Sequence, residues 1–348
     1  MIMKLPISWP ITETYQFSSF VMSIILSHDN TKNLYENNYI NLFCLDTDQL
    51  WHMDLEFWDV TWEDFRKYGI FEMDLFSINN FSSGALASFL RERIDQGNYL
   101  LLHMVDEFYL PYSEFYQNDH FVHDTYIYGY ENEFFWVMAY SQKKLKQIKV
   151  SAMDIEQSLF SAKDYKPEVF FCSLRPNQAI HVNVDYHRIK QSFYEYLGYK
   201  KDFPQCNMQK NSNTNMLTLV PSAPKHKDNY VYGNQIYTVL NNCIDAMLIN
   251  HDFTHSPIDI RPFRLLWEHK RILQNRINYI ITQYNMPKDI LYSFEDVIAQ
   301  ANTLFMLAIK YDVTNQKKIL ESIISQVNLL REHETELLTF FLDKWELI

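Results

Sequence analysis

Six glycines in 348 residues are the tightest constraint on what this chain can become. Glycine supplies backbone with positive φ at no steric cost, so most turns here have to be built from other residues. The same scarcity argues against phosphate cradles made of glycine-rich backbone. Neither G-x-G-x-x-G nor G-x-x-x-x-G-K occurs in the sequence, so nucleotide binding through such loops is not expected. Bulk comes from aromatics instead, with 25 Phe, 24 Tyr and 7 Trp in a chain that is 47% hydrophobic. That is enough to bury a sizeable core as one large domain or two ordinary ones.

The net charge of −12 gives no global attraction to nucleic acid or to anionic lipid. The four cysteines, Cys44, Cys172, Cys206 and Cys243, lie far apart without a C-x-x-C. They read as reduced thiols rather than a disulfide framework or a zinc site. The opening "MIMKLPISWPITET" lacks the apolar core of a signal peptide, and runs such as "FVMSIIL" are too short to span a bilayer. A soluble, cytoplasmic protein is expected.

Patterning divides the chain. "SSFVMSIIL" reads as a short buried helix with Ser18 or Ser19 at its start. "YINLFCLD" and "QLWHMDLEFWD" read as strands, "SSGALASFLRERIDQG" as a helix capped by Ser82 or Ser83 and ended by Gly97, and "YLLLHMVD" as a buried strand. "HDTYIYGY" and "EFFWVMAY" read as two more strands with their turn near Gly129–Asn132. A helix near 151–160, the strand "EVFFCSL" and a helix capped by Asp185 follow. Residues 201–230 are polar and irregular and read as a loop or linker. Beyond them, 3.6-residue periodicity marks helices over 234–249, 263–284, 292–311 and 315–345. The expected organisation is an α+β domain over 1–200, a linker over 201–230, and a helical region over 231–348 packed on the first.

The chemistry-bearing stretch is "FYQNDHFVHDTYIYGYENEFFWVMAY", residues 115–140. His123 opens a strand, where it could act as a general base toward a nucleophile on a neighbouring helix, or make one structural hydrogen bond. With His123 facing inward, His120, three residues earlier, falls on the opposite face of an extended strand or in the loop before it. A metal site from His120, His123 and Asp119 or Asp124 is therefore awkward and lacks a third-ligand spacing. Cys44 and Cys172 sit in strand-like apolar runs, not at a helix start that would activate a thiol. Lys143, Lys144, Lys146 and Lys149 could receive a phosphate or an acidic partner, or form a solvated strand edge.

Over 106–140 the sequence resembles proteins related to the N-terminal domain of butirosin-biosynthesis protein H. The matching residues are Asp106, Tyr109, Leu110, Pro111, Tyr112, His120, His123, Gly129, Tyr130, Glu131 and Glu133. The resemblance implies a papain-like cysteine-peptidase-type core, a helix packed on an antiparallel sheet, with a C-terminal helical extension. It also implies acyl transfer in nonribosomal-peptide-type natural-product biosynthesis. His123 matches the family's catalytic histidine, and His120, Asp124, Asp106, Tyr109 and Tyr112 are the implied binding residues.

The sequence departs from that pattern where the family's cysteine should open the first helix. "TYQFSSFVMS" has Gln16, Ser18 and Ser19 there and no Cys, and Ala139–Ser141 offers no orienting acid. Three readings stay open. The cleft binds an acyl or peptidyl intermediate, or a phosphopantetheinyl carrier protein, without an efficient nucleophile. Ser18 or Ser19 attacks an acyl thioester, with Gln16 or helix-start N–H groups stabilising the oxyanion. Or a cysteine elsewhere, such as Cys44, reaches His123. A non-catalytic scaffold, with a second copy of the chain as partner, is a further alternative. No cofactor or metal is expected.

Overall fold

The computed structural model describes residues 2–58, 65–66, 69–166, 168–198, 205–210, 217–222, 230–249 and 257–347, with 205–210 and 217–222 described by their backbone. It is a mixed α+β chain with an antiparallel sheet and a helical C-terminal part. Two compact units are built from interleaved segments. The first comprises Met1–Asn33, Thr61–Val182 and Pro204–Ala223, the second Leu34–Val60, Asn183–Phe203 and Pro224–Ile348. Segments 34–60 and 183–203, expected within the first domain, thus cluster with the helical part.

Along the chain, β1 (Ile2–Lys4) and α1 (Gln16–Ile25) open the first unit. The short α2 (Asn33–Asn37), β2 (Leu42–Leu45) and β3 (Glu56–Phe57) follow. The first unit resumes with β4 (Phe71–Ser77), α3 (Leu86–Asp95), β5 (Tyr99–Asp106), β6 (Val122–Glu131), β7 (Phe134–Ser141), β8 (Lys144–Ser151), α4 (Ala152–Ser161) and β9 (Phe170–Pro176). Next come α5 (Tyr186–Tyr196), the paired strands β10 (Gln205–Lys210) and β11 (Leu217–Ser222), and β12 (Tyr230–Tyr232). The chain finishes with α6 (Ile236–Ile249), α7 (Arg261–Tyr284), α8 (Asp289–Thr314) and α9 (Lys317–Glu346). The stretch read as strand "QLWHMDLEFWD" yields a 3₁₀ turn at Leu50–His52 and only the two residues of β3. The expected loop over 201–230 contains β10 and β11, whereas 201–204, 211–216 and 223–229 lie outside the described residues.

The main sheet of the first unit runs β4-β9-β5-β6-β7-β8, antiparallel throughout, with β1 added to the far end of β6. Large side chains are buried on both of its faces, with Leu100, Leu102, Ile127 and Phe171 on one side and Tyr126 on the other, none more than 2% exposed. The turns show how the chain manages without glycine. The β7–β8 hairpin turns on Gln142 and Lys143, at φ 55° and 60°, and β6–β7 turns through Asn132 at φ 52°. Lys143 is thereby a turn residue, and Lys144, Lys146 and Lys149 lie on β8, the strand that ends the sheet. Helix α3 begins at Leu86, with Ala85 rather than a serine preceding it. Its start is served from α4, whose Glu156 carboxylate accepts from the N–H groups of Gly84 and Ala87 at 3.2 and 3.1 Å.

In the second unit α7 packs on α8, α8 on α9, and α9 on α6. Asn285 and Asn315 take the left-handed C-cap position of α7 and α8, the place glycine usually occupies. The core encloses charge. Lys270 Nζ lies 2.6 Å from Glu334, 2.9 Å from the Tyr196 hydroxyl and 2.9 Å from His269 Nδ1, and all of these side chains are buried. Glu334 also accepts from Tyr237 at 2.7 Å. His269 Nε2 donates to the Ile40 carbonyl at 2.8 Å. Satisfying both ring nitrogens this way fixes the neutral tautomer.

Burial, then the neighbouring Lys270 charge, holds His269 well below the ordinary histidine range, against the opposing pull of the Ile40 carbonyl. A histidine depressed in the folded state contributes stability that is complete above its unfolded pKa. That contribution is lost as pH falls below about 6.5, at up to about 1.4 kcal/mol per pH unit. Urea unfolding between pH 7 and 5 should show a falling midpoint. The fall should be shallower in His269→Gln, which keeps a donor toward Ile40. An equal slope in both proteins would remove His269 from the account.

Candidate functional site

Helix α1 lies on one face of the sheet, with Phe20 stacked on Tyr126 of β6 at 5.0 Å and 23°. At its C-terminal end His28 Nε2 meets the Tyr99 hydroxyl at 2.7 Å. The step from Tyr99 to Tyr126 directs the start of α1 toward the end of the sheet where β5 finishes and β6 begins. The helix starts at Gln16, preceded by Tyr15 without a side-chain cap, so Ser18 and Ser19 sit inside its first turn rather than at its cap. Ser19 Oγ donates to the Thr12 and Tyr15 carbonyls at 2.9 and 2.7 Å, and Ser18 Oγ donates to the Tyr15 carbonyl at 3.1 Å. Both residues are buried. Their protons are committed to backbone, and no described base stands against either oxygen. Gln16 is 6% exposed, and its side-chain carbonyl makes no hydrogen bond within the described residues.

Strand alternation decides where the histidines point. From Val122 to Ile127 β6 pairs in regular register with β5 on both sides of one bulge. Tyr126 faces α1, so Asp124 faces it too, while His123 and Thr125 face the opposite side. The structure therefore does not bring His123 together with Ser18, Ser19 or Gln16. Its imidazole is 45% exposed and holds Glu107 through Nδ1 at 3.2 Å. The α1 face carries His103 instead, with Nδ1 3.4 Å from Asp124. Asp124 also accepts the N–H of Met104 at 3.2 Å. Met104 is the residue with φ 67° inside the β5 bulge. Asp124 thus holds a strained backbone kink in place. Burial would raise its carboxyl, but the His103 hydrogen bond and charge, the Met104 N–H and His123 outweigh it and hold it below the ordinary range.

Just past the end of β5 two adjacent carboxylates each take a histidine. Asp106 is fully buried. It accepts from His120 Nδ1 at 2.7 Å, from Ser161 Oγ at 2.7 Å and from the Phe108 N–H at 3.2 Å. Its backbone carbonyl accepts from Ser158 Oγ at 2.9 Å. Glu107, side chain 11% exposed, takes His123 and the Ser113 hydroxyl, and its N–H donates to the Phe121 carbonyl at 2.8 Å. The His120 ring is stacked between Phe108 at 4.3 Å and Tyr165 at 4.9 Å, with Tyr109 at 6.4 Å. The carboxylate can only accept, so Nδ1 carries the proton. Nε2, on the other edge of a side chain 36% exposed, makes no hydrogen bond within the described residues. A buried acid that fixes an imidazole through Nδ1 and leaves Nε2 outward is the arrangement a general base needs. Tyr112 bonds Thr125 at 3.0 Å and is a half-buried support whose phenol is pushed up by burial.

The sequence pattern therefore names His120, Asp106 and Tyr109, which the fold joins, but not Glu107, Phe108, Ser161, Tyr165 or His103. The adjacent acids of "VDEF" at the end of a buried strand were the available signal. Cys44, Cys172 and Cys243 are buried thiols outside any disulfide. Cys44 belongs to the second unit, and burial pushes its thiol up, away from a reactive thiolate. The side chain of Cys206 lies outside the described residues. Among the described residues no group of three or more His, Cys, Asp and Glu could hold a metal ion, and no helix is long and apolar enough to cross a membrane. No protein-family pattern matches the chain, and no curated protein matches it in sequence.

Asp106→Ala strips the acceptor from three donors at a buried point. It should cost about 3 kcal/mol by urea unfolding, as removal of one partner from a buried charged network does. Ser161→Ala removes one donor and should cost about 1 kcal/mol. A cost for Asp106→Ala within 0.5 kcal/mol of zero (roughly the size of a surface substitution) would mean that the carboxylate is hydrated.

Proposed function

We propose that the chain is an accessory acyl-transfer protein of nonribosomal-peptide-type natural-product assembly, with a papain-like first unit that acts without an acyl-enzyme. Its active base is His120. The acyl group would arrive as a thioester on a phosphopantetheinyl carrier. His120 Nε2 would take the proton from an acceptor amine or hydroxyl as that group attacks the thioester carbonyl. The tetrahedral species expels the carrier thiolate, and the imidazolium returns the proton to it. The observation that carries this reading is the 2.7 Å contact between His120 Nδ1 and the wholly buried Asp106, which orients the ring and stabilises the imidazolium. The hydroxyls of Ser18 and Ser19, tied to backbone carbonyls, favour direct transfer over a covalent intermediate. That same commitment supports a second reading, in which the site binds carrier or intermediate without turnover.

The test supplies an acyl-carrier thioester and an amine acceptor. His120→Ala should lower the transfer rate by roughly 10²–10⁴-fold, the range for loss of a positioned base. Ser18→Ala and Ser19→Ala should leave it within about threefold, and intact-mass spectrometry should show no acylated protein. Acylation of either serine, or full activity in His120→Ala, refutes base-only transfer. Carrier affinity unchanged by His120→Ala with no turnover in the wild type selects the binding reading.

A further inference from the structure

A second site, unrelated to the histidine–carboxylate cluster, lies in the second unit between the 3₁₀ turn at Leu50–His52, the end of α6 and the start of α7. It is a cavity of about 440 Å³, within the range of small-molecule sites. Its inner surface is apolar, formed by Leu50, Met247 and Ile258, each less than 10% exposed, with Ala246 and Pro257 beside them. At the mouth stands Trp51, 61% exposed. An indole so open would ordinarily be free to rotate, but its Nε1 donates to Gln49 Oε1 at 2.8 Å, which fixes the ring beside the opening.

The charges at the mouth are unequal. Arg261 is closed onto Asp259 through Nε at 2.9 and 3.1 Å and Nη2 at 2.6 Å, so that guanidinium is already neutralised. Asp48 lines the same mouth, exposed, and has no cationic partner among the described residues. An apolar interior, a fixed indole and an uncompensated carboxylate are three parts of one recognition chemistry. The interior takes a hydrocarbon or aryl body, the Trp face attracts a cation, and Asp48 pairs with it.

We propose that this cavity binds a small amphiphilic organic cation, an alkyl or aryl amine with its body inside and its ammonium group between Trp51 and Asp48. A fatty carboxylate would set its charge against Asp48 and is disfavoured.

Titration calorimetry of the full chain with octylammonium, octan-1-ol and octanoate, each below its aggregation concentration, reads the preference directly. Octylammonium should bind one to one and roughly 10-fold or more tighter than octanoate, a factor equal to about 1.4 kcal/mol, with octanol between them. Ala246→Trp, which fills the cavity, should weaken octylammonium by at least about 10-fold. Asp48→Lys changes only an exposed side chain and should reverse the order of the two charged probes. Failure of all three probes to bind the wild type, equal affinity for octylammonium and octanoate, or an unchanged order in Asp48→Lys would overturn the proposal.

Discussion

A carboxylate with no access to water sits where the buried strand β5 ends, and the local architecture is organised around keeping it satisfied. Stripping an ion of water costs several kcal/mol unless donors replace the lost hydration. Asp106 receives them from three directions: the next turn of chain through Phe108, helix α4 through Ser161, and the loop before β6 through His120. Each donor is held because the charge needs it. The imidazole inherits that rigidity, and ring stacking on Phe108 and Tyr165 removes its remaining freedom. Glu107 repeats the theme one residue later with a looser, more exposed partner.

The second unit solves a related problem without an opening to solvent. Lys270 and Glu334 face each other among Tyr196, Tyr237 and His269, all buried. Such a cluster contributes little net stability compared with apolar packing, yet any slip of one helix past another would leave a bare charge inside. Its role fits registry of the helices, whereas the Asp106 network has an imidazole edge reaching the surface. The two clusters therefore differ in the exposure of one imidazole edge rather than in the types of residue involved.

The helical region was readable because its signal is local: apolar residues recur every three or four positions, and α6 to α9 fall where that rhythm places them. The strands at β5, β6 and β7 were also visible, whereas "QLWHMDLEFWD" holds only the two residues of β3 and β4 was not read. The site was legible only in part. His120 and His123 are prominent in the sequence, but their acids lie 14 and 16 residues earlier, and antiparallel pairing of β5 with β6 is what joins them. His123 was singled out as the base by the family resemblance over 106–140, not by its spacing. Tyr126 packs against α1, so three steps of alternation put His123 on the other side of the sheet from that helix. Serines that look like caps turned out to be held by Thr12 and Tyr15, a contact that depends on how the chain approaches the helix.

The interleaving of the two units bears on how the chain is made. Residues 34–58 are made before α6 to α9, and the carbonyl of the buried Ile40 finds its donor only in His269 of α7. Until α7 leaves the ribosome, that carbonyl has no native donor, and the segment must wait for residues made later. Vectorial synthesis thus imposes a waiting period on one unit that the other escapes, a natural point for chaperone engagement and for losses during expression.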